Sequence, residues 1–155
     1  MILDERLEFC DATALNTGAA GTYNIGDVID LRAPNANVFA TGPDLDSAEL
    51  YFVLRVATAA TSGGSATGQF RLVSDTSATP STGSPASVHI LSNAIAVASL
   101  TAASTIYVGK LPSGSYSRYL GVQQITGTAA FTAGAVDAFL TSDPNLWRAY
   151  ADAVA

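Results

Sequence analysis

Residues 131–140, FTAGAVDAFL, limit the possible folds more than any other stretch. From Ala135 onward the side chains alternate. Val136, Ala138 and Leu140 point to one side of an extended strand, and Ala135, Asp137, Phe139 and Thr141 to the other. Both sides are mainly apolar, with one acid among them. Such a strand needs cover on both faces, so it belongs in the middle of a β-protein. Gly134 loosens its start. Asp143-Pro144 ends it, because proline supplies no N–H to a ladder.

Other segments repeat this period. Glu49 to Thr58, ELYFVLRVAT, sets Leu50, Phe52, Leu54 and Val56 on one face and Glu49, Tyr51, Val53 and Arg55 on the other. Gln69 to Val73, Val88 to Leu91, Thr105 to Leu111 and Arg118 to Thr126 read as further strands, and Tyr23 to Leu31 as a short bulged one. Ala94 to Leu100 extends the strand before it or forms a second short one. Gly, Ser, Thr and Pro fill the connections, including 59–68 and 74–87. The segment Arg32 to Pro43 reads as a long surface loop. Met1 to Leu15 fits neither period, so an arm, a short strand and a helical turn all stay open. After Asp143-Pro144, the residues Leu146, Trp147, Tyr150 and Val154 share one helical face, which predicts a short C-terminal helix. Seven or eight short strands, with no long helix to cover a parallel sheet, predict an all-β sandwich, barrel or jelly roll.

Charge excludes more than it assigns. Only 13% of residues are charged, and the thirteen acids outnumber the seven cations to give a net −6. Those cations stand singly, without the clustering that neutralising phosphates requires, so nucleic-acid binding is not expected. No apolar stretch is long enough for a membrane span, and the acidic opening lacks the basic start of a signal peptide. Cys10 is the one cysteine and His89 the one histidine, which leaves neither a disulfide nor a Cys/His zinc site.

Candidate chemistry is sparse. His89 lies among apolar neighbours in SVHIL, without a GxSxG elbow, so a strand-edge histidine is the better reading than a catalytic base. Asp44, Asp46 and Glu49 have oxygen ligands at short spacing but lack a calcium-loop ladder; a polar turn accounts for them. Asp137 has no acidic partner for glycoside chemistry. It faces solvent, pairs with Arg55 or Arg118, or lies at a subunit contact. No enzyme, cofactor or metal is expected.

The ends of the chain carry a resemblance. MILDERLEF-x-DA (Met1 to Ala12) and FTAGAVDAFLTSDP (Phe131 to Pro144) resemble the Bbp16-like capsid cement proteins of tailed bacteriophages, which decorate HK97-type capsids. KLPSG-x-x-x-RYLGVQ, with Leu111, Pro112, Arg118, Tyr119 and Leu120, fits the same plan. The tail LWRAYADAVA departs from it. The resemblance implies a jelly-roll-like antiparallel β-sandwich, no catalysis, and binding to the major capsid protein across subunit boundaries on the capsid's outer surface. It places the protein in the virion after assembly in the host cytoplasm.

The expected organisation is an N-terminal arm (1–15), a β-domain (16–143) and a tail with a short helix (144–155). A dimer or trimer at a capsid symmetry axis gains avidity from repetition. The arm, the loop 32–43 and the tail are the expected contact regions, with Ile2, Leu3, Leu7, Phe9, Phe39, Leu146, Trp147 and Tyr150 as interface residues. Deleting residues 1–12 is then expected to leave a folded protein that no longer decorates. The rival reading is a virion β-module for host carbohydrate, built on Tyr116, Tyr119, Tyr150 and Trp147.

Overall fold

In the computed structural model, residues 7–31 and 49–145 are described. They form nine strands: β1 (Glu8–Ala14), β2 (Gly21–Asp30), β3 (Tyr51–Thr61), β4 (Thr67–Asp75), β5 (Ser87–Leu91), β6 (Ile95–Ala96), β7 (Thr105–Lys110), β8 (Tyr119–Gly127) and β9 (Ala133–Thr141). One sheet runs β1-β9-β3-β7 and the other β2-β8-β4-β5, with the short β6 added beside β4. Every pairing is antiparallel. Among the eight longer strands the first pairs with the last, β1 with β9. Inside that pair come β2 with β8, β3 with β7 and β4 with β5. This nested order is one long hairpin rolled up so that alternate pairs fall in opposite sheets. It is the jelly roll, which strand counting alone left open.

β9 lies between β1 and β3, and Ala135–Thr141 are all buried. Val136, Ala138 and Leu140 face the core between the sheets, where Phe52, Leu54 and Val56 of β3 meet Phe70, Leu72, Leu120 and Val122 of the other sheet. Phe139 points to the opposite face, across from Val53, and both are buried there too. Cover on both faces is what the alternation at 135–141 demanded. Phe9 meets Phe52 edge-on, with ring centroids 6.0 Å apart. Phe9, Phe52, Phe70 and Phe131 are each only 1% exposed, and burying each contributes ~1.5–3 kcal/mol.

Two sequence expectations change. Residues 8–14 are an edge strand of the first sheet rather than part of an arm. Its pairing with β9 shifts register between Glu8 and Cys10 and again between Cys10 and Thr13, and Ala12 takes φ 44°. Two irregularities in seven residues erase the two-residue period, which is why a strand was only one of three readings open there. Ala94 to Leu100 splits into β6 and a 3-10 turn, Val97–Ser99, whose backbone Val97 N–H reaches Ala66 O at 2.9 Å. The connection 76–86 is tied down along its length, as described below. No α-helix occurs among the described residues. Asp143 Oδ1 accepts the Asn145 N–H at 2.9 Å, the bond of an Asx turn. The expected helix itself, with Leu146, Trp147 and Tyr150, lies outside the described residues, as do Ile2, Leu3 and Phe39.

Candidate functional site

Leu7 and Phe9 were expected to touch a partner. Phe9 is in the core and Leu7 packs against it, because β1 turns its apolar side toward the other sheet. Deleting residues 1–12 would therefore remove much of a strand together with Phe9 and Cys10, so the expectation of a folded product is corrected. Cys10 is buried, and burial is the main force pushing its thiol up to about 12. It is a packing residue rather than a nucleophile.

His89 lies on β5, the edge of its sheet. Its Nε2 is 2.8 Å from Ser74 Oγ, and its ring stacks on Tyr116 at 3.9 Å and 17°. Ser74 Oγ also accepts the Ser117 N–H at 3.0 Å, and the Tyr116 hydroxyl donates to Pro112 O at 2.6 Å. Burial lowers the imidazole pKa. The constellation pins the 111–118 connection to β4 and β5. It does not resemble a nucleophile–base pair, since Ser74 is fully buried and no carboxylate orients the ring among the described residues.

The acids are spent in the same way. Asp137 Oδ2 accepts Arg55 Nε–H at 2.7 Å, and Oδ1 accepts the Ala12 N–H at 2.7 Å. Of the options open at Asp137, the structure takes Arg55. Arg118 instead grips Asp30 with two bonds, 2.9 and 2.8 Å, while lying 4.9 Å over the Tyr119 ring. Glu49 sits 3.6 Å from Lys110, and Asp44 and Asp46 lie outside the described residues. No group of three His, Cys, Asp or Glu could hold a metal among the described residues. An open cleft of about 230 Å³ is lined by Glu8, Phe9, Asp11, Thr13 and Asp27.

Two adjacent glutamines in β8 organise much of the rest. Gln123 and Gln124 are both fully buried, on opposite faces of the strand. Gln123 Nε2 donates to Asn24 Oδ1 at 2.7 Å and Ser81 O at 3.1 Å, while its Oε1 accepts Arg71 Nε–H at 2.7 Å. Arg71 also reaches Thr82 O at 2.7 Å, and Asn24 Nδ2 donates to Pro80 O at 2.9 Å. Asp75 accepts the Thr76 N–H at 2.7 Å and the Ser81 N–H at 2.9 Å, bonds that lower its pKa. Together they hold the 76–86 connection against the outer face of the β2-β8-β4-β5 sheet. On the inner face, Gln124 presents its amide to both backbone groups of Asn16, at 2.8 and 3.0 Å. Sequence reasoning passed over these glutamines. The available signal was two amides side by side in an otherwise apolar strand.

What remains free is small. Val88 and Leu91 are exposed large hydrophobics, both on edge strand β5. No described constellation converges on a point where a substrate atom could react. These bonds tie one part of the chain to another. A family model, Bbp16, matches residues 9–140. No curated protein matches the chain. With all but the ends of the chain matched, the protein belongs to the Bbp16 family, whose members are associated with phage virions.

Proposed function

We propose that this protein is a capsid cement, a decoration protein that binds the outer surface of an HK97-type capsid and bridges adjacent major capsid protein subunits. It works without catalysis or cofactor, as a dimer or trimer at a symmetry axis of the shell, after assembly in the host cytoplasm. One observation carries the reading. In a Bbp16-family jelly roll, His89, Asp137, Arg55, Asp75 and Gln123 are each engaged in tying one part of the chain to another. A cement needs that rigidity, because a stiff body loses little conformational entropy on docking. A specific contact buries on the order of 1,200–2,000 Å², and many equivalent copies on one shell multiply a modest affinity. The carbohydrate reading loses Tyr116, which is buried against His89.

The test is to mix purified protein with undecorated shells and image them. Ordered density at local symmetry axes, with shells more resistant to heat, is the expected result. Shells that stay bare at saturating protein refute the proposal. A companion deletion of residues 1–6 spares β1 and tests the contact assigned to Ile2 and Leu3.

A further inference from the structure

Charge is distributed unevenly along this jelly roll. The four connections 15–20, 62–66, 92–104 and 128–132 lie at one end of the sandwich, since the strands leading into and out of them are paired there: Ala14 with Ala135, Gly21 with Thr126, Thr61 with Ala133, Thr67 with Gly127. They interlock. Ser62 Oγ donates to Ala130 O at 2.7 Å, Thr61 and Thr132 share a hydroxyl bond of 2.8 Å, Leu15 N–H reaches Gly134 O at 2.9 Å, and Ala60 N–H reaches Leu100 O at 2.9 Å. No Asp, Glu, Lys or Arg occurs in residues 12–26, 56–70, 76–109 or 119–136, so among the described residues this end and the strand halves behind it are without charge. The exposed residues of the four connections are Ala, Ser, Thr, Gly and Asn, with Leu91, 56% exposed, at the rim. Asp30, Glu49, Asp75, Lys110, Arg118 and Asp143 gather at the opposite end.

We propose that the charge-free end is the face that seats on the shell, against a coat-protein patch that itself carries no fixed charge. The inference rests on the cement reading and adds the docking face and its chemistry. A surface kept in water gains solubility from charge, and ordinary surfaces are about 25–35% charged. An acidic protein with a whole end bare of charge therefore points that end away from water. Burying it strips no ion of its hydration, and hydroxyls and backbone groups supply the polar contacts. Seating the neutral end inward turns the acidic end outward. The interlocking bonds keep the docking face stiff.

The test compares Ser65→Glu, Ala98→Glu and Ala102→Lys at this end with Ser115→Glu in the 111–118 connection at the other. All four positions are exposed, and thermal melts verify that each variant folds. Binding to undecorated shells is titrated by cosedimentation at about 0.05 and about 0.5 M salt. Wild type is expected to bind equally, within about twofold, at both salt concentrations, since there are few charges to screen. Each of the three variants is expected to bind about tenfold or more weakly, whichever the sign of the new charge, because it is buried without a partner. Ser115→Glu is expected to match wild type. If shells take up wild type and the three variants alike, this inference is wrong while the cement reading stands. If the variants lose only self-association by ultracentrifugation, the face joins two copies and the inference is again wrong. Shells that take up no wild-type protein overturn both.

Discussion

Asp137→Ala removes the acid from the middle of β9, and its cost can be worked from two bonds. The carboxylate holds Ala12 N–H at 2.7 Å and Arg55 Nε–H at 2.7 Å. The Asp137 side chain is 9% exposed and that of Arg55 is 37% exposed. Losing a hydrogen bond to a buried charged acceptor costs ~1.5–3 kcal/mol. The Arg55 guanidinium is partly wetted, so the loss of its bond to Asp137 is discounted toward the ~1 kcal/mol of a solvated pair. Ala12 holds φ 44° already in the wild type, so this backbone strain adds nothing to the loss. The total is about 3 kcal/mol, or about 9 °C in Tm for a chain of this length. Asp137→Asn keeps an acceptor for Ala12 and loses the charge, so it is expected to cost about half as much. Urea titrations of wild type, both variants and Arg55→Met separate the two bonds through a double-mutant cycle. An Asp137→Ala cost below about 1 kcal/mol, or an Asn variant as unstable as the Ala variant, refutes the reasoning.

Three further outcomes follow from the same geometry. Gly26→Ala places a Cβ on Phe9 O and Cys10 Sγ at a residue with φ 68°, and is expected to cost more than about 3 kcal/mol in urea or to leave no folded protein. Gln123→Ala takes one bond each from Arg71, Asn24 and Ser81 O, with an expected loss of about 2–3 kcal/mol and new proteolytic cleavage within 76–86 while the sandwich persists. Burial depresses the His89 pKa in the folded state, so the unfolded chain takes up the proton first as pH falls through about 6.5. The stability His89 contributes is therefore present above that pH and lost below it, and melts of wild type between pH 7.5 and 5.5 are expected to slope more steeply than those of His89→Gln.

The alternation in β3, β4, β8 and β9 was readable because each of these strands packs a regular apolar face on the core. β1 was not, because its two register shifts put Phe9 and Cys10 both inside and cancel the period. The 76–86 connection has no periodicity to read, since its place is set by Gln123, Asn24, Arg71 and Asp75, distant in sequence or hidden in strands. Arg55 as a partner for Asp137 was one of several options, and the choice depended on the β3–β9 register that sets the two residues opposite. His89 was legible as a strand-edge residue, but its stack on Tyr116 was not, because the 111–118 connection swings that ring in from another part of the chain. The charge-free end needed no coordinates to list its residues. It needed the rolled order of strands to show that four separate neutral segments arrive together.

The position of β9 also governs when the molecule can come into being. It is the last of the described strands to be translated, yet it belongs between β1 and β3 in the middle of its sheet. Until residue 141 has been translated, β1 has no neighbour in that sheet and Phe9 has no complete pocket. Nascent chains thus cannot finish folding piecemeal. A truncated product lacking β9 would leave β1 and β3 without their shared neighbour and the core open to water.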